Sequence, residues 1–141
     1  MLKYWVGVAS RDHVIAAVRG GFCQFNHGKE APLKRLQLGD RIVYYSPKTK
    51  TQAGEPLQAF TAIGEIVDSK AFRVRASDTF QPFRRHVRYE DSRESPMRPL
   101  VERLTFSSGN AAWGQLLRRG FFEIERDDYL AIAEAMGLPR E

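Results

Sequence analysis

The sequence predicts an α+β fold, a small curved β-barrel of about five to six strands flanked by helices. Three observations lead there. Apolar, β-rich runs (KYWVGVA, RIVYYS and FTAIGEIVD) recur through the first half of the chain. Helical patterns at 11–19 and 126–136 fall between and after them, so strands and helices mix in one order. The 141 residues carry no internal repeat, low-complexity tract or composition break, which bounds a single domain over 1–141 with a sizeable core.

KYWVGVA (3–9) reads as a buried strand. Ser10 then stands as N-cap of a helix over 11–19, with Val14, Ala17 and Val18 on one face and Gly20-Gly21 ending it. Residues 22–38 read as irregular, with one helical turn around 32–36. Gly39-Asp40 is a turn signal, and RIVYYS (41–46) is a strand running into Pro47. KTKTQAGEP (48–56) is an exposed polar loop. In the long strand FTAIGEIVD (60–68), Gly64 marks a bulge or a close backbone approach. FRVRAS and RRHVRYED continue as strands whose alternation sends apolar residues inward and arginines outward. After a loop at 91–99, PLVERL predicts a short helix and NAAWGQLLRR (110–119) a longer one that ends at Gly120. FFEI is extended. The last helix, 126–136, sets Tyr129, Ile132, Ala133 and Met136 in helical register, and Asp127 and Asp128 favour its N-terminal dipole.

Composition narrows the function. Lys and Arg outnumber Asp and Glu by 22 to 17, a formal net charge of +5, which suggests an anionic partner, nucleic acid first. No apolar run reaches the ~20 residues that span a bilayer, and MLKYWVGVAS reads as a strand rather than a signal peptide. The expected address is the cytoplasm, with no membrane partner. The lone Cys23 agrees, since it has no internal disulfide partner. GGF is not GxGxxG and no GK[ST] occurs, so no nucleotide cofactor is implied. One Cys and three scattered His, with neither CxxC nor HxxxH, fall short of a zinc signature.

Cys23 and His27 in GGFCQFNHGKE (20–30) raise the alternative of an enzyme acting on a nucleobase or small amide. A thiol nucleophile needs its histidine within hydrogen-bond reach, and four residues apart in a loop does not ensure it. A free Cys is more often a small buried hydrophobe. A second alternative is a protein-interaction or regulatory domain in which the aromatics are core.

Several pieces taken in order resemble a known family. YWVGVAS, GGFCQFNHGKEAPLKR, LGDRIVYYSPK, FTAIGEIVD, RPLVERLTF, the Trp113-Gly114 helix start and FFEIERDDYLAIAEAM resemble the bacterial branch of the EVE-domain proteins over essentially the whole chain. The resemblance implies a PUA-like fold, related to the YTH and ASCH groups. It also implies a non-catalytic module that reads a modified or flipped base in DNA or RNA, methylated cytosine being the usual suggestion.

Such a pocket needs an aromatic wall, polar groups for the base edge and cations for the backbone. Wall candidates are Trp5, Phe22, Tyr45 and Trp113; edge candidates are Ser10, Gln24, Asn26 and Ser46, with His27 near the ligand. Lys29, Lys34, Arg35, Lys48 and Lys50 are the candidate phosphate grips. Trp5 serves equally well as core, and only one of Tyr44 and Tyr45 faces a given cavity. Arg84, Arg85, Arg88 and Arg93 form a candidate basic stripe beside the pocket, partly neutralised by Glu90, Asp91 and Glu94. GGFCQFNHGKE itself is read as the rim, with Phe22 or Phe25 packing inward.

Overall fold

β-Branched and aromatic residues make up about half of the sheet that organises this chain, and in its central strands both faces are buried. The computed structural model describes residues 1–139. Its elements are β1 (Tyr4–Val8), α1 (Arg11–Gly20), β2 (Phe22–Cys23), α2 (Glu30–Lys34), β3 (Arg41–Lys48), β4 (Pro56–Ile66), β5 (Phe72–Arg73), β6 (Phe83–Tyr89), β7 (Ser95–Pro96), α3 (Trp113–Leu117), β8 (Phe121–Ile124) and α4 (Arg126–Ala135). Single 3-10 turns occupy Asn26–Gly28 and Arg98–Leu100.

The strands form one curled mixed sheet, a half-barrel in the order β2-β6-β4-β3-β1-β8, with β5 beside β6 and β7 beside β4. β1 and β3 are parallel; every other pair is antiparallel. This is the PUA-like α+β architecture, its path of six main strands extended by two short ones.

Period-2 alternation sends neighbouring apolar residues to opposite faces. Trp5, Ile42, Tyr44, Ala62 and Phe121 join Val14, Cys23, Phe25 and Leu33 in one core beneath α1 and α2. Val6, Val43, Tyr45, Ile63 and Phe122 join Leu104, Ile132 and Met136 in the other, beneath α4. Gly64 is a close approach: a Cβ there would lie 2.7 Å from Val87 Cγ1 and 2.8 Å from the Arg88 carbonyl oxygen. Register shifts after Tyr44 and after Ser46 bend β3 and admit Pro47.

Several elements differ from expectation. Of FRVRAS only Phe72–Arg73 pairs as strand; the chain then turns, with Ala76 and Ser77 N–H groups donating to the Phe80 carbonyl. Only a 3-10 turn, Arg98–Leu100 with Pro99 in its first turn, forms at the start of PLVERL, and turns rather than a helix follow. The 110–119 helix shortens to Trp113–Leu117, because Asn110 Oδ1 accepts the Ala112 N–H and holds the preceding residues in a turn. Ser10 precedes α1 but makes no cap bond; its hydroxyl donates to Asp12 Oδ1 at 2.5 Å. Arg85 does not join an outward stripe: it is 1 % exposed. It donates to Asp68 and to the Leu33 and Leu36 carbonyls, tying β6 to the end of α2.

Candidate functional site

Gly21 ends α1 in the left-handed region, at φ +69°, and turns the chain back along β6. Gly20 lies flat on Phe22; a Cβ there would be 2.5 Å from the ring. Phe25 is the inward aromatic, buried and stacked on Phe121 at 4.6 Å, whereas Phe22 stays half-buried. Tyr44 fixes β2 from below. Its hydroxyl accepts the Gln24 N–H and donates to the Gln24 carbonyl, both at 3.0 Å. Beyond it, Asn26, His27 and Gly28 turn through φ +51°, +60° and +78°. The first two are left-handed without being glycine, a conformation that costs free energy and recurs at functional sites.

These segments wall an open groove of about 780 Å³ between α1, β2, the bent end of β3 and β6. Ser10, Phe22, Gln24, Asn26, His27, Lys29 and Lys48 line it, joined by His13, Tyr44, Thr51, Phe80 and Arg84. The Arg84 guanidinium sits 3.8 Å over the Phe22 ring, and its Nε donates to Gln24 Oε1 at 2.9 Å. Lys48 Nζ donates to the Thr51 carbonyl at 2.7 Å, which holds the 48–56 loop against the groove.

The lining is one-sided in charge. Lys29, Lys48 and Arg84 are cationic, two histidines stand beside them, and none of the described lining residues is a carboxylate. Asp12 lies one hydrogen bond away, with the Ser10 hydroxyl holding its carboxyl below the usual carboxylate range. A second depression of about 760 Å³, at the Met1–Tyr4 end, is lined by Glu123, Glu125 and Asp128 together with Lys3 and Arg126. Those carboxylates oppose an anion, so the chemistry favours the first groove.

Other candidates lie elsewhere. Trp5 is 1 % exposed, donates its indole N–H to Asp40 Oδ2 and stacks on Phe121. Tyr45 is buried edge-on to Phe60, so Tyr44 is the tyrosine that reaches the groove. Ser46 is buried against Thr61 Oγ1. Trp113 packs half-buried on the core beneath α4, the other face of the sheet. Lys34 pairs with Glu30, Arg35 covers the Trp5 ring at 4.8 Å, and Lys50 is exposed on its loop; none of the three lines the groove. Arg88 pairs with Glu65 and Glu90. Arg84 belonged to the arginine run, but its tie to Phe22 and Gln24 depends on β2–β6 pairing across some 60 residues.

Cys23 is wholly buried in the core while His27 is exposed on the groove. Burial pushes the thiol pKa up, with Arg85 only partly opposing it, so the sulfur stays protonated and away from the cavity. Among the described residues no cluster of three His, Cys, Asp or Glu could hold a metal, and no helix is long and apolar enough to cross a membrane.

Comparison with known proteins gives a consistent relationship. The family model described as the EVE domain matches residues 3–135. A UPF0310 protein of Mycobacterium avium is 48 % identical over 132 residues, covering 94 % of this chain and 96 % of that protein. Another, from Mesorhizobium japonicum, is 47 % identical, covering 99 % and 95 %. Among solved structures, a hypothetical protein from Leishmania major superposes with a TM-score of 0.62 at 12 % identity, covering 95 % of this chain and 94 % of that one. The YTH domain of Zygosaccharomyces rouxii MRB1, solved in complex with N6-methyladenosine RNA, gives 0.61 at 16 % identity, covering 99 % and 89 %. Identities this low speak for the fold.

Proposed function

The chain belongs to the EVE-domain family, and from that premise we propose that it is a non-catalytic module that binds nucleic acid by taking a flipped or modified base into the groove between α1 and β2. The observation that carries this reading is the lining of the groove: the exposed Phe80 and the Phe22 ring under its stacked Arg84 guanidinium, beside Lys29 and Lys48, with no described carboxylate among them. A flat base gains ~1–3 kcal/mol by stacking on an aromatic wall, and the cations favour its phosphates. The YTH neighbour's RNA complex supports the kind of ligand by fold analogy. Burial of Cys23, away from the exposed His27, speaks against the enzymatic alternative.

The test is titration with matched oligonucleotides, unmodified or carrying 5-methylcytosine, 5-hydroxymethylcytosine or N6-methyladenine, as DNA and RNA, single- and double-stranded. Preference for one modified strand is expected, lost at least tenfold in Phe22→Ala and kept in Trp113→Ala on the opposite face. Equal binding of every strand by both variants would reduce the protein to a basic surface and defeat the reading.

A further inference from the structure

β6 carries a second pair of stacked rings outside the groove. Arg85 and Val87 are buried in the core, so Arg84, His86 and Arg88 face outward. Register brings two phenylalanines to the same face, Phe22 of β2 opposite His86 and Phe72 of β5 opposite Arg84. The contacts run diagonally. Arg84 lies over Phe22 on the groove wall, and the His86 ring stacks on Phe72 with centroids 4.2 Å apart and planes 18° from parallel. Neither Phe72 nor His86 lines the groove, and Phe72 packs in neither core. His86 is exposed. A flat stacked pair therefore stands on the open sheet face beside the groove wall, and core packing does not account for it.

Charge and spacing say what fits there. Arg84, opposite Phe72 and over Phe22, is a cation between the two rings. The neighbouring Asp68 is engaged, Oδ1 by Arg85 Nε and Oδ2 by the His86 N–H. Farther along β6, Arg88 is paired with Glu65 and Glu90, so a polyanion gains most at the Arg84–His86 end. Arg84 and His86 are two residues apart on an extended strand, roughly 7 Å. That is about twice the 3.4 Å between successive nucleotides of a duplex strand. Neighbouring bases can occupy the groove and the Phe72–His86 pair together only when unstacked from each other and turned away from a partner strand. Aromatic rings on an open sheet face receive the bases of single strands in this way. We infer that Phe72 and His86 form a second stacking site, for the nucleotide next to the base held in the groove, and that the protein therefore takes a single strand. This rests on the base-binding reading above and adds the form of the strand and a subsite outside the groove.

Nonamers carrying a central 5-methylcytosine or N6-methyladenine test it, each made whole, abasic on the 5′ side, abasic on the 3′ side, or annealed to a complement. The wild-type protein is expected to bind the whole single strand about tenfold or more above the duplex, which must first be unpaired. Removing one of the two flanking bases should cost about fivefold or more, the lower end of what one stacked base contributes. Phe72→Ala should bind the whole strand weaker by that same factor and be indifferent to that abasic change. Phe72→Trp keeps a ring and should retain both the affinity and the sensitivity. A merely structural role for Phe72 would weaken every strand alike and leave the sensitivity in place, which would overturn the inference. Duplex binding as tight as single-strand binding would overturn it too. In either case a loss in Phe22→Ala leaves the groove reading standing. Equal binding of every strand by the wild-type protein and by Phe22→Ala would overturn both.

Discussion

Asp40 accepts three hydrogen bonds inside the fold, from the Lys3 N–H at Oδ1 and from the Trp5 indole and Gln37 N–H at Oδ2. Removing it leaves those donors unpaired, at about 1–3 kcal/mol each in a buried site. Asp40→Ala is expected to lower stability by roughly 3 kcal/mol or more in urea unfolding at unchanged m-value. A second effect follows from Cys23, Tyr44 and Tyr89, whose burial raises all three pKa values above the ordinary 9.0 for the thiol and 10.0 for the phenols. The unfolded chain then loses these protons at lower pH than the native state does. Their contribution to stability is thus full below about pH 9 and declines as pH rises above it. Thermal melts from pH 7 to 11 should show this decline, and Tyr44→Phe should make it shallower. Trp5 shows why roles at this scale are hard to read in sequence. Its strand and burial are visible in YWVGV, but the carboxylate that engages it lies 35 residues away.

Among the elements, the left-handed turn at Asn26–Gly28 is the one least visible from sequence. Gly28 signals positive φ most strongly, with Asn26 and His27 of types that also visit that region; Gly120 lies against the Asn26 side chain and Pro82 against Gly28. Gly28→Ala would set a Cβ 2.3 Å from Pro82 Cβ at φ +78°. A loss of roughly 1–3 kcal/mol is expected in chemical denaturation, with weaker oligonucleotide binding as the rim shifts. Strands with long apolar runs were legible, as were α1 and α4, because period and stop signals agreed. β5 and α3 were not, because a polar turn and an Asn-led turn each took residues that propensity assigned to strand or helix. Of the groove's lining, Phe22, Gln24, Asn26, His27 and Lys29 come from the stretch GGFCQFNHGKE that the sequence singles out. The β6 wall depended on long-range pairing, which no local pattern encodes.

For the molecule as a whole, the net charge of +5 gives a salt-dependent attraction for any polyanion, and the groove sets how steep that dependence is. Three phosphate contacts, from Lys29, Lys48 and Arg84, predict a slope of about −2 in log K against log salt for a single strand. If Lys34, Arg35 and Lys50 also engage the strand, the slope approaches about −4. Fluorescence titration between 50 and 300 mM salt separates the two. The segment that builds the groove also ends the sheet: α1, β2 and α2 all lie between the parallel strands β1 and β3 in sequence, and β2 docks at the far edge on β6. An occupant touching α1, β2 and the end of β3 therefore clasps the margin of the sheet to its middle. Binding in the groove should then register as slower amide exchange across β2 and β6 and as a higher unfolding temperature, with the segment that lines the groove serving as the latch of the fold.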